Sequence, residues 1–386
     1  MKKLLKITLK IILALAAVAL LAALCVGVWI LAYSARDRRV FAQAQREHVA
    51  AMEALYGAPD FAPVSERDMT GFDAAAAIDS GPHLNDIRFI GTHNSYKAYN
   101  PSAERLMQAF IAPLRLAHPL EWSYGFERLS AQLDHGIRSL ELDVMREKDG
   151  FRCAHIPVID YASNCPDFGL ALEEIALWSD AHPGHLPITV LVEAKGRLRL
   201  EDVLRLDALV AGKLGERLYT PAEMLGGYAD FGQLRGMNGY PLLSAVLGKI
   251  IVIYHYHDET TAAYADHDPS LRSHKMFLSA LHRYSRSEES NAMSDANQSY
   301  VCFGIDHWPD GELLEQNARE HNILMRTTCD SYPWHDAEYD AASLACAAFI
   351  LSTDYPPRGE PGEDPHVFAF QGGATAAYSN TIESEN

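Results

Sequence analysis

Short apolar runs rich in β-branched residues recur through most of the chain and alternate with longer amphipathic stretches. The runs occupy residues 87–90, 139–144, 151–154, 188–192, 250–254, 301–305, 323–325 and 349–352. Amphipathic stretches at 170–180 and 201–214 lie between them, and residues 220–223 (Thr-Pro-Ala-Glu) have the form of a helix capping box. Strands that alternate with helices predict a parallel sheet. About eight strands within about 270 residues predict an α/β TIM barrel, (β/α)₈, with a doubly wound open sheet as the alternative.

Side chains capable of chemistry follow the ends of most of these runs. They are His93 and Asn94, Glu141 and Asp143, His155, Glu193 and Lys195, Arg326, and Asp354. Barrel enzymes build their sites from several strands at once, at the C-terminal ends of those strands. An open sheet concentrates such residues near one switch point in its strand order. The distribution therefore favours the barrel.

Oxygen donors form one group within this set. Glu141 and Asp143 are two residues apart on one predicted strand, so both point to the same face, while the alternate residues make the other face apolar. Two neighbouring buried carboxylates repel each other unless a cation lies between them. Asn94 and Glu193 add an amide carbonyl and a third carboxylate. A donor set made only of oxygen predicts Ca²⁺ or Mg²⁺ rather than zinc.

The remaining side chains predict proton transfer and anion binding. His93 and His155 follow different predicted strands, and imidazole suits both proton transfer and hydrogen bonding to a phosphoryl oxygen near neutral pH. Lys195 would pair with the carboxylates or hold an anionic substrate. Arg326 would hold a phosphate, and Asp354 would orient a histidine or the substrate.

A 23-residue stretch without charge lies near the N-terminus, at residues 11–33. At ~1.5 Å rise per residue, a helix of this length spans the roughly 30 Å hydrocarbon core of a bilayer. Four Lys precede it and three Arg follow it. We interpret residues 1–35 as a membrane anchor. The alternative is a signal peptide cleaved near residues 32–35, although the apolar part of such peptides is usually ~7–15 residues long. Both interpretations place the rest of the chain outside the cytoplasm.

The segments that flank the predicted barrel read as connecting structure. Residues 36–84 are interpreted as a stalk, with a polar helix at 38–56 that ends at Gly57. Scattered Pro, Gly and Asp at residues 58–83 indicate a linker. The tail at 358–386 is rich in Pro, Gly and acidic residues and is expected to be loop or disordered.

The charge is distributed unevenly along the chain. Residues 1–40 carry seven Lys or Arg and one Asp, which leaves 26 basic and 50 acidic residues, a formal charge of −24, in residues 41–386. Such a surface repels nucleic acid and gives no simple electrostatic adhesion to anionic lipid. If the substrate is an anionic lipid, a membrane tether and a bound cation are the obvious means of offsetting that repulsion.

Six cysteines are present, and Cys25 lies inside the apolar N-terminal stretch. No pair has the C-x-x-C spacing of a structural zinc site. Cys153 and Cys165 flank a short loop, so they would form a disulfide in an oxidising compartment or remain buried free thiols.

Taken in order, the motifs resemble those of the calcium-dependent phosphoinositide-specific phospholipases C of bacteria and fungi, within the larger superfamily of phospholipase C-like phosphodiesterases. The resemblance covers roughly residues 84–357. It includes G-T-H-N-S-Y at 91–96, Q-L at 132–133, G-I-R at 136–138, E-L-D at 141–143, His155, Trp178, H-P-G-H-L-P-I at 182–188, E-A-K at 193–195 and S-T-D-Y-P at 352–356.

The resemblance implies a distorted TIM barrel over residues 85–357 and a phospholipid substrate. It implies that His93 and His155 are the two superfamily histidines, which stabilise the pentavalent phosphate and protonate the leaving oxygen. The implied calcium ligands are Asn94, Glu141, Asp143 and Glu193, and Glu141 is also implied as a base. The implied reaction is attack by an inositol hydroxyl on the neighbouring phosphodiester, which releases diacylglycerol and a cyclic inositol phosphate.

Two other functions share part of this pattern. A glycerophosphodiesterase shares the first histidine, the E-x-D and the E-x-K, but it usually carries Arg-Gly after that histidine, where this chain has Asn94-Ser95. A non-catalytic, calcium-dependent lipid-binding module would have no need of two histidines suited to acid–base chemistry.

Overall fold

Eight parallel strands form a closed barrel in this computed structural model, which describes residues 2–112, 119–196, 198–255, 259–279, 299–309, 311–357 and 366–379. The barrel strands are β1 (Ile87–Thr92), β2 (Ser139–Arg146), β4 (Ile188–Ala194), β5 (Ile250–His255), β6 (Phe277–Ser279), β7 (Val301–Ile305), β8 (Leu324–Thr328) and β9 (Ile350–Thr353). Each pairs in parallel with its neighbours, and pairing of β1 with both β2 and β9 closes the cylinder. The TIM barrel prediction is confirmed, and the open sheet is excluded.

Two antiparallel strands are added to the barrel. β3 (Phe151–Cys153) folds back against the end of β2, and β10 (Ala376–Tyr378) pairs with β1. The prediction that residues 151–154 form a barrel strand is therefore wrong, since this run belongs to a hairpin at the barrel mouth. The missing barrel strand is β6, a three-residue strand too short to give a clear sequence pattern.

Helices connect the strands and cover the outside of the barrel. They are α1 (Lys2–Tyr56), α2 (Glu66–Thr70), α3 (Ala74–Asp79), α4 (Ser102–Ile111), α5 (Leu129–Asp134), α6 (Phe168–Ala181), α7 (Leu200–Leu214), α8 (Pro221–Leu225), α9 (Phe231–Gly236), α10 (Leu243–Val246), α11 (Glu259–His267), α12 (Glu312–Arg319) and α13 (Ala337–Ala345). The predicted capping box begins α8, where the Thr220 hydroxyl accepts from the Glu223 N–H and the Glu223 carboxylate accepts from the Thr220 N–H.

The segment interpreted as a stalk and linker lies against the barrel. The anchor and the 38–56 helix are one continuous helix, α1, which contacts α4 and α6. Further along, Met69, Phe72 and Leu84 are buried in the hydrophobic core. Residues 36–84 thus form part of the barrel's outer layer. The mostly polar residues of α1 include a narrow buried stripe, to which Val49 and Met52 belong, and this stripe packs against the barrel.

Part of the predicted tail is also ordered structure. β10 extends the sheet beyond β1, and the Thr375 hydroxyl donates to the Gly136 carbonyl at 2.7 Å. Residues 358–365 and 380–386 of the predicted tail lie outside the described residues.

Cys153 and Cys165 carry free thiols and are fully buried beside each other near the mouth. Burial raises the pKa of the Cys165 thiol well above its ordinary value, and the Cys153 sulfur adds to the rise. Of the two states that the sequence allowed, a disulfide or buried free thiols, the structure shows the free thiols.

Candidate active site

The carboxylates predicted to bind a cation come together at the C-terminal end of the barrel. Glu141 and Asp143 alternate with apolar residues along β2, and Asp143 is in register with Glu193 on β4. Oxygen atoms of these three side chains lie within 4.8 Å of one another. Asp143 is fully buried. Burial, followed by repulsion from Glu193, raises its pKa to about 8 despite the nearby Lys195.

Asn94 is linked to this cluster through a tyrosine. The Tyr96 hydroxyl lies 3.0 Å from the Asn94 Oδ1 and 2.7 Å from the Asp143 Oδ2. Asn94 has a left-handed backbone, with φ at 55°, which Asn tolerates better than most residues. This turn directs the amide towards β2 immediately after β1 has ended. The structure therefore brings together all four predicted calcium ligands.

The backbone before Asn94 approaches β2 closely. A Cβ atom on Gly91 would lie 2.7 Å from the Ser139 Cβ and 2.9 Å from the Ser139 carbonyl oxygen. Strand packing therefore requires a glycine at the point where β1 pairs with β2.

Lys195 pairs with the carboxylates, as one of its two predicted roles requires. Its ammonium is 2.6 Å from Glu193 and 3.2 Å from Asp143. Burial works to lower the pKa of Lys195, but the two carboxylates outweigh that effect and raise it above the ordinary value. The carboxylates thus stabilise the positive charge of the Lys195 ammonium beside them.

His93 is held at one ring nitrogen by a buried carboxylate. Its Nδ1 lies 3.0 Å from the Asp354 Oδ1, and Asp354 is fixed in turn by the Tyr332 N–H at 2.8 Å. On the other side of the ring, Nε2 is 3.9 Å from the Glu141 Oε1. Burial works to lower the pKa of His93, but Asp354 and Glu141 outweigh it and raise the pKa to about 9.

His155 has the same arrangement, with a buried carboxylate at one ring nitrogen. Its Nδ1 lies 2.8 Å from the Asp160 Oδ2, and the other Asp160 oxygen accepts from the Lys97 ammonium. Burial works to raise the pKa of Asp160, but Lys97 and His155 together lower it below the ordinary value. A buried carboxylate at Nδ1 fixes the orientation of the imidazole and leaves Nε2 for other partners.

Both imidazoles line one cavity of about 330 Å³, together with Asn94, Asp160 and Asp354. The side chains of His93 and His155 are 27% and 26% exposed, respectively. A larger cavity of about 730 Å³ also includes His93 and extends towards Trp308. The space is large enough for a polar head group with part of its substituent.

Arg326 contacts the same cluster from the far side of the barrel. Its guanidinium donates to Glu141, to Ser352 Oγ at 3.0 Å and to Thr328 Oγ1 at 2.9 Å. Arg326 is buried. The contact with Glu141 explains how a carboxylate and a guanidinium are both accommodated there, since each offsets the charge of the other.

Asp354 is among the predicted residues, but three other residues that position the histidines and Asn94 could not be found from the sequence: Asp160, Lys97 and Tyr124. Asp160 and Lys97 form a fully buried ion pair, and the Tyr124 hydroxyl lies 3.2 Å from Asn94 Nδ2 and 3.4 Å from His93 Nδ1. Lys97 directly follows the G-T-H-N-S-Y motif. Asp160 carries no local signal, because its importance depends on a loop that returns it to His155.

A hard divalent cation fits this cluster. Its donors are carboxylate and amide oxygens, as Ca²⁺ prefers. Asp143 Oδ1 is buried and has no hydrogen-bond partner among the described residues, and a buried carboxylate oxygen left in that state is costly. Asn94, Glu141, Asp143 and Glu193 are the residues that would hold the ion.

The family model for "Phosphoinositide phospholipase C, Ca2+-dependent" matches residues 83–154 and 145–379. The chain belongs to this family. The protein is accordingly a phospholipase C-like phosphodiesterase, and its cofactor is Ca²⁺. The resemblance seen in the ordered motifs is confirmed.

Solved structures of similar fold include two bacterial calcium-dependent enzymes. One is the phosphoinositol-specific phospholipase C from Pseudomonas sp., in a myoinositol complex, with 20% identity, a TM-score of 0.52 and coverage of 77% of this chain and 96% of that chain. The other, from Streptomyces antibioticus, has 20% identity, a TM-score of 0.55 and coverage of 77% and 99%. At this identity the likeness supports the barrel fold. No curated protein sequence matches the chain.

Proposed function

We propose that this phospholipase C-like enzyme cleaves a phosphoinositide by intramolecular attack of an inositol hydroxyl on the neighbouring phosphodiester. The products are diacylglycerol and a cyclic inositol phosphate. The observation that carries the proposal is the pair of partly exposed imidazoles, His93 and His155, in one cavity beside the carboxylate cluster. The myoinositol complex of the Pseudomonas enzyme supports the choice of head group.

In this proposal His93 binds the phosphoryl group. Its ring is fixed at Nδ1 by Asp354, so Nε2 is directed to donate a hydrogen bond to a phosphoryl oxygen. Charge develops on those oxygens as the phosphate becomes pentavalent, so a donor already in place stabilises the transition state.

His155 is proposed as the general acid. Asp160 holds its Nδ1, so Nε2 is available to protonate the oxygen of the departing diacylglycerol. The proton must reach the leaving oxygen on the side of the phosphate opposite to the attacking hydroxyl. The position of His155 on another loop of the same cavity as His93 supports this assignment.

Asn94, Glu141, Asp143 and Glu193 are proposed to hold Ca²⁺, which when bound supplies positive charge that lowers the pKa of the inositol hydroxyl. Glu141 is also proposed as the base for that hydroxyl, since its Oε1 lies 3.9 Å from the Nε2 of His93, which lines the cavity.

Lys195, Arg326 and Asp354 are proposed to contribute to substrate binding. Lys195 and Arg326 would add positive charge near the phosphate. Asp354 would act through His93, whose ring it orients.

Products of a substrate panel test this proposal. Phosphatidylinositol, phosphatidylcholine and glycerophosphoinositol are each incubated with the full-length protein, with and without a calcium chelator, and the phosphorus products are separated. We expect a cyclic inositol phosphate from phosphatidylinositol, only with calcium. Cleavage of glycerophosphodiesters alone would replace this proposal with the glycerophosphodiesterase alternative.

We propose further that residues 11–33 remain as a membrane anchor. Among the described residues, one helix, α1, is long and apolar enough to cross a membrane by length and composition, and it lies near the N-terminus. The alternative cleavage site lies within this helix, where Ser34 is buried and its hydroxyl donates to the Ile30 carbonyl at 2.6 Å. We expect an N-terminal epitope tag to remain on the protein and to be found in the membrane fraction. We also expect protease added to spheroplasts to cleave the barrel. A mature protein that lacks residues 1–35 would contradict it.

A further inference from the structure

The C-terminal part of helix α1 lies along α6, and both helices run in the same direction. Paired contacts join α1 to α6 and its flanking loops at a separation that stays between 122 and 126 residues. They are Asp37 with Tyr161, Gln45 with Asp167, His48 with Glu174, and Tyr56 with His182. A nearly constant separation means that each step along α1 is matched by an equal step along α6.

The direction of α6 relative to the barrel is fixed by its neighbours in the chain. α6 starts after the mouth loop that carries His155 and ends before β4 begins, so it runs from the mouth to the opposite end. α1 therefore also runs away from the mouth, and its N-terminal part emerges at the mouth. Of the four pairs, the one nearest that end joins Asp37 to Tyr161, whose hydroxyl donates to Asp37 at 2.8 Å and which directly follows Asp160.

Aromatic and basic residues mark where α1 would leave the bilayer. The rings of Trp29 and Tyr33 are 4.4 Å apart, and the Arg36 guanidinium is 5.9 Å from the Tyr33 ring centroid. Trp and Tyr concentrate at membrane–water interfaces, and Arg anchors helix ends there. Tyr33 and Asp37 are separated by one helical turn, a rise of about 6 Å. The interface therefore lies within about one to two turns of the residue that contacts the mouth.

The barrel side of this junction is packed. Ile30 and Ser34 are buried, and the helix has no break between the apolar stretch and the docked stretch. In contrast, the most apolar part of α1 has none of its residues buried against the barrel. The helix thus holds the barrel at a set height and rotation relative to the bilayer.

The mouth presents a surface suited to that position. Trp334 lines the catalytic cavity and is 57% exposed, beside the half-buried Trp122 and Tyr332. Residues 41–386 carry a formal charge of −24, which by itself would repel the barrel from an anionic bilayer. A rigid tether offsets that repulsion because it gives the mouth a high effective concentration of membrane lipid.

We propose that α1 holds the open end of the barrel against the bilayer in which it is anchored, so that the enzyme acts on lipids of its own membrane rather than of another. This proposal rests on the proposed lipid phosphodiesterase function and on the retained anchor. It identifies the partner of the mouth as the outer leaflet of the host membrane.

Proteoliposomes containing the full-length protein test the orientation. In the cis arrangement, phosphatidylinositol is in the same vesicles as the enzyme. In the trans arrangement, an equal amount is in separate vesicles. A water-soluble inositol phosphodiester reports activity that does not depend on membrane position. We expect cis cleavage at least tenfold faster than trans cleavage, with the soluble substrate cleaved in both preparations.

Two insertions of equal length between Ala35 and Arg36 distinguish the effect of the barrel's height above the bilayer from the effect of being tethered to it. Eighteen helix-forming residues add five full turns and raise the barrel by about 27 Å without rotating it. Eighteen Gly/Ser residues leave the barrel free to reach the bilayer. We expect the helical insertion to reduce cis cleavage at least tenfold, the flexible insertion to reduce it less, and neither to change cleavage of the soluble substrate.

The outcomes distinguish the two levels of the proposal. If the wild-type protein cleaves neither the lipid nor the soluble substrate, the proposed function fails and the orientation proposal fails with it. If both are cleaved but cis and trans rates are equal, or the helical insertion leaves cis cleavage unchanged, only the orientation proposal is overturned.

Discussion

Replacement of Asp160 by Asn tests the buried network that positions His155. One carboxylate oxygen of Asp160 accepts from the Lys97 ammonium and the other from His155 Nδ1. The side chains of Asp160 and Lys97 are each only 1% exposed. Asn has nearly the same shape, so Asp160→Asn removes the charge with little change in packing.

The size of the effect follows from the burial of Lys97. Removal of one partner from a buried ion pair typically costs about 3–5 kcal/mol, because the other charge stays buried without compensation. Glu104 lowers that cost here. Burial, followed by repulsion from Asp160, raises its pKa to about 8. Without the Asp160 charge, the Glu104 pKa falls and its carboxylate becomes available to compensate Lys97. We therefore expect a loss near the lower end, about 3 kcal/mol in the free energy of unfolding.

The loss should depend on pH in a defined direction. Lys97 and His155 lower the Asp160 pKa below its ordinary value of 3.8. A lowered pKa stabilises the folded state above that ordinary value, and the contribution disappears as the pH falls through the folded-state pKa. The difference between wild-type and Asp160→Asn protein should be largest near neutral pH and shrink below about pH 4.

Denaturant unfolding of the full-length protein in detergent measures this effect, and turnover measures the second role of Asp160. Turnover should fall because His155 loses its orienting carboxylate, by no more than the ~10²–10⁴-fold attributed to a general acid. Asp180→Asn is the matched control, since Asp180 pairs with Arg217 at an exposed site worth about 0–1 kcal/mol. Equal destabilisation by Asp160→Asn and Asp180→Asn would refute the reasoning.

Three further variants probe the outer layer, the barrel seam and the cation site. Glu66→Gln should cost about 3–5 kcal/mol in chemical denaturation, because Arg138 is fully buried against Glu66; a loss below 1 kcal/mol would mean that α2 is not part of the folded unit. Gly91→Ala should lower the thermal midpoint, at a cost of about 1–3 kcal/mol, because its Cβ would lie 2.7 Å from the Ser139 Cβ; an unchanged midpoint would contradict the close approach. Asp143→Asn should abolish calcium-dependent turnover while the circular dichroism spectrum is retained, and full activity in excess chelator would remove the calcium assignment.

Most barrel strands could be located from the sequence, because each is a short apolar run buried on both faces. The two errors have different causes. Residues 151–154 resemble a barrel strand in composition, yet β3 pairs antiparallel with β2, and composition does not report pairing direction. β6 has only three residues, and residues 280–298 after it lie outside the described residues.

The site could be assembled from the sequence only where strand geometry brings residues together. Glu141 and Asp143 share a face through the two-residue period of β2, and Asp143 faces Glu193 through strand register. Asp354, which follows β9, was also predicted to orient a histidine or the substrate, although the sequence does not say which histidine. Asp160 reaches His155 through an irregular loop. No local sequence pattern encodes the contact between Asp160 and His155.

The position of α1 could not be predicted for a different reason. Its polar residues 38–56 indicate a solvent-exposed stalk, but buried polar contacts fix it to the barrel. Gln45 donates to the Asp167 carbonyl at 2.9 Å and accepts from the Asp167 N–H at 2.8 Å. A glutamine that pairs with a distant backbone has the same sequence signature as one that faces water.

The central claim is that His93 and His155 act as one catalytic unit. Turnover and calcium affinity of His93→Ala, His155→Ala and the double variant test it most directly. His135→Ala is the matched control, because His135 is 25% exposed and lies 3.6 Å from Glu127, but precedes β2 at the opposite end of the barrel.

Each single variant should lose ~10²–10⁴-fold in turnover, and the double variant should be little worse than the more damaged single variant, because effects within one catalytic unit are not additive. Calcium affinity should be retained in all three, and His135→Ala should turn over normally. Near-normal turnover of His155→Ala, or a loss accounted for entirely by weaker calcium binding, would contradict the account.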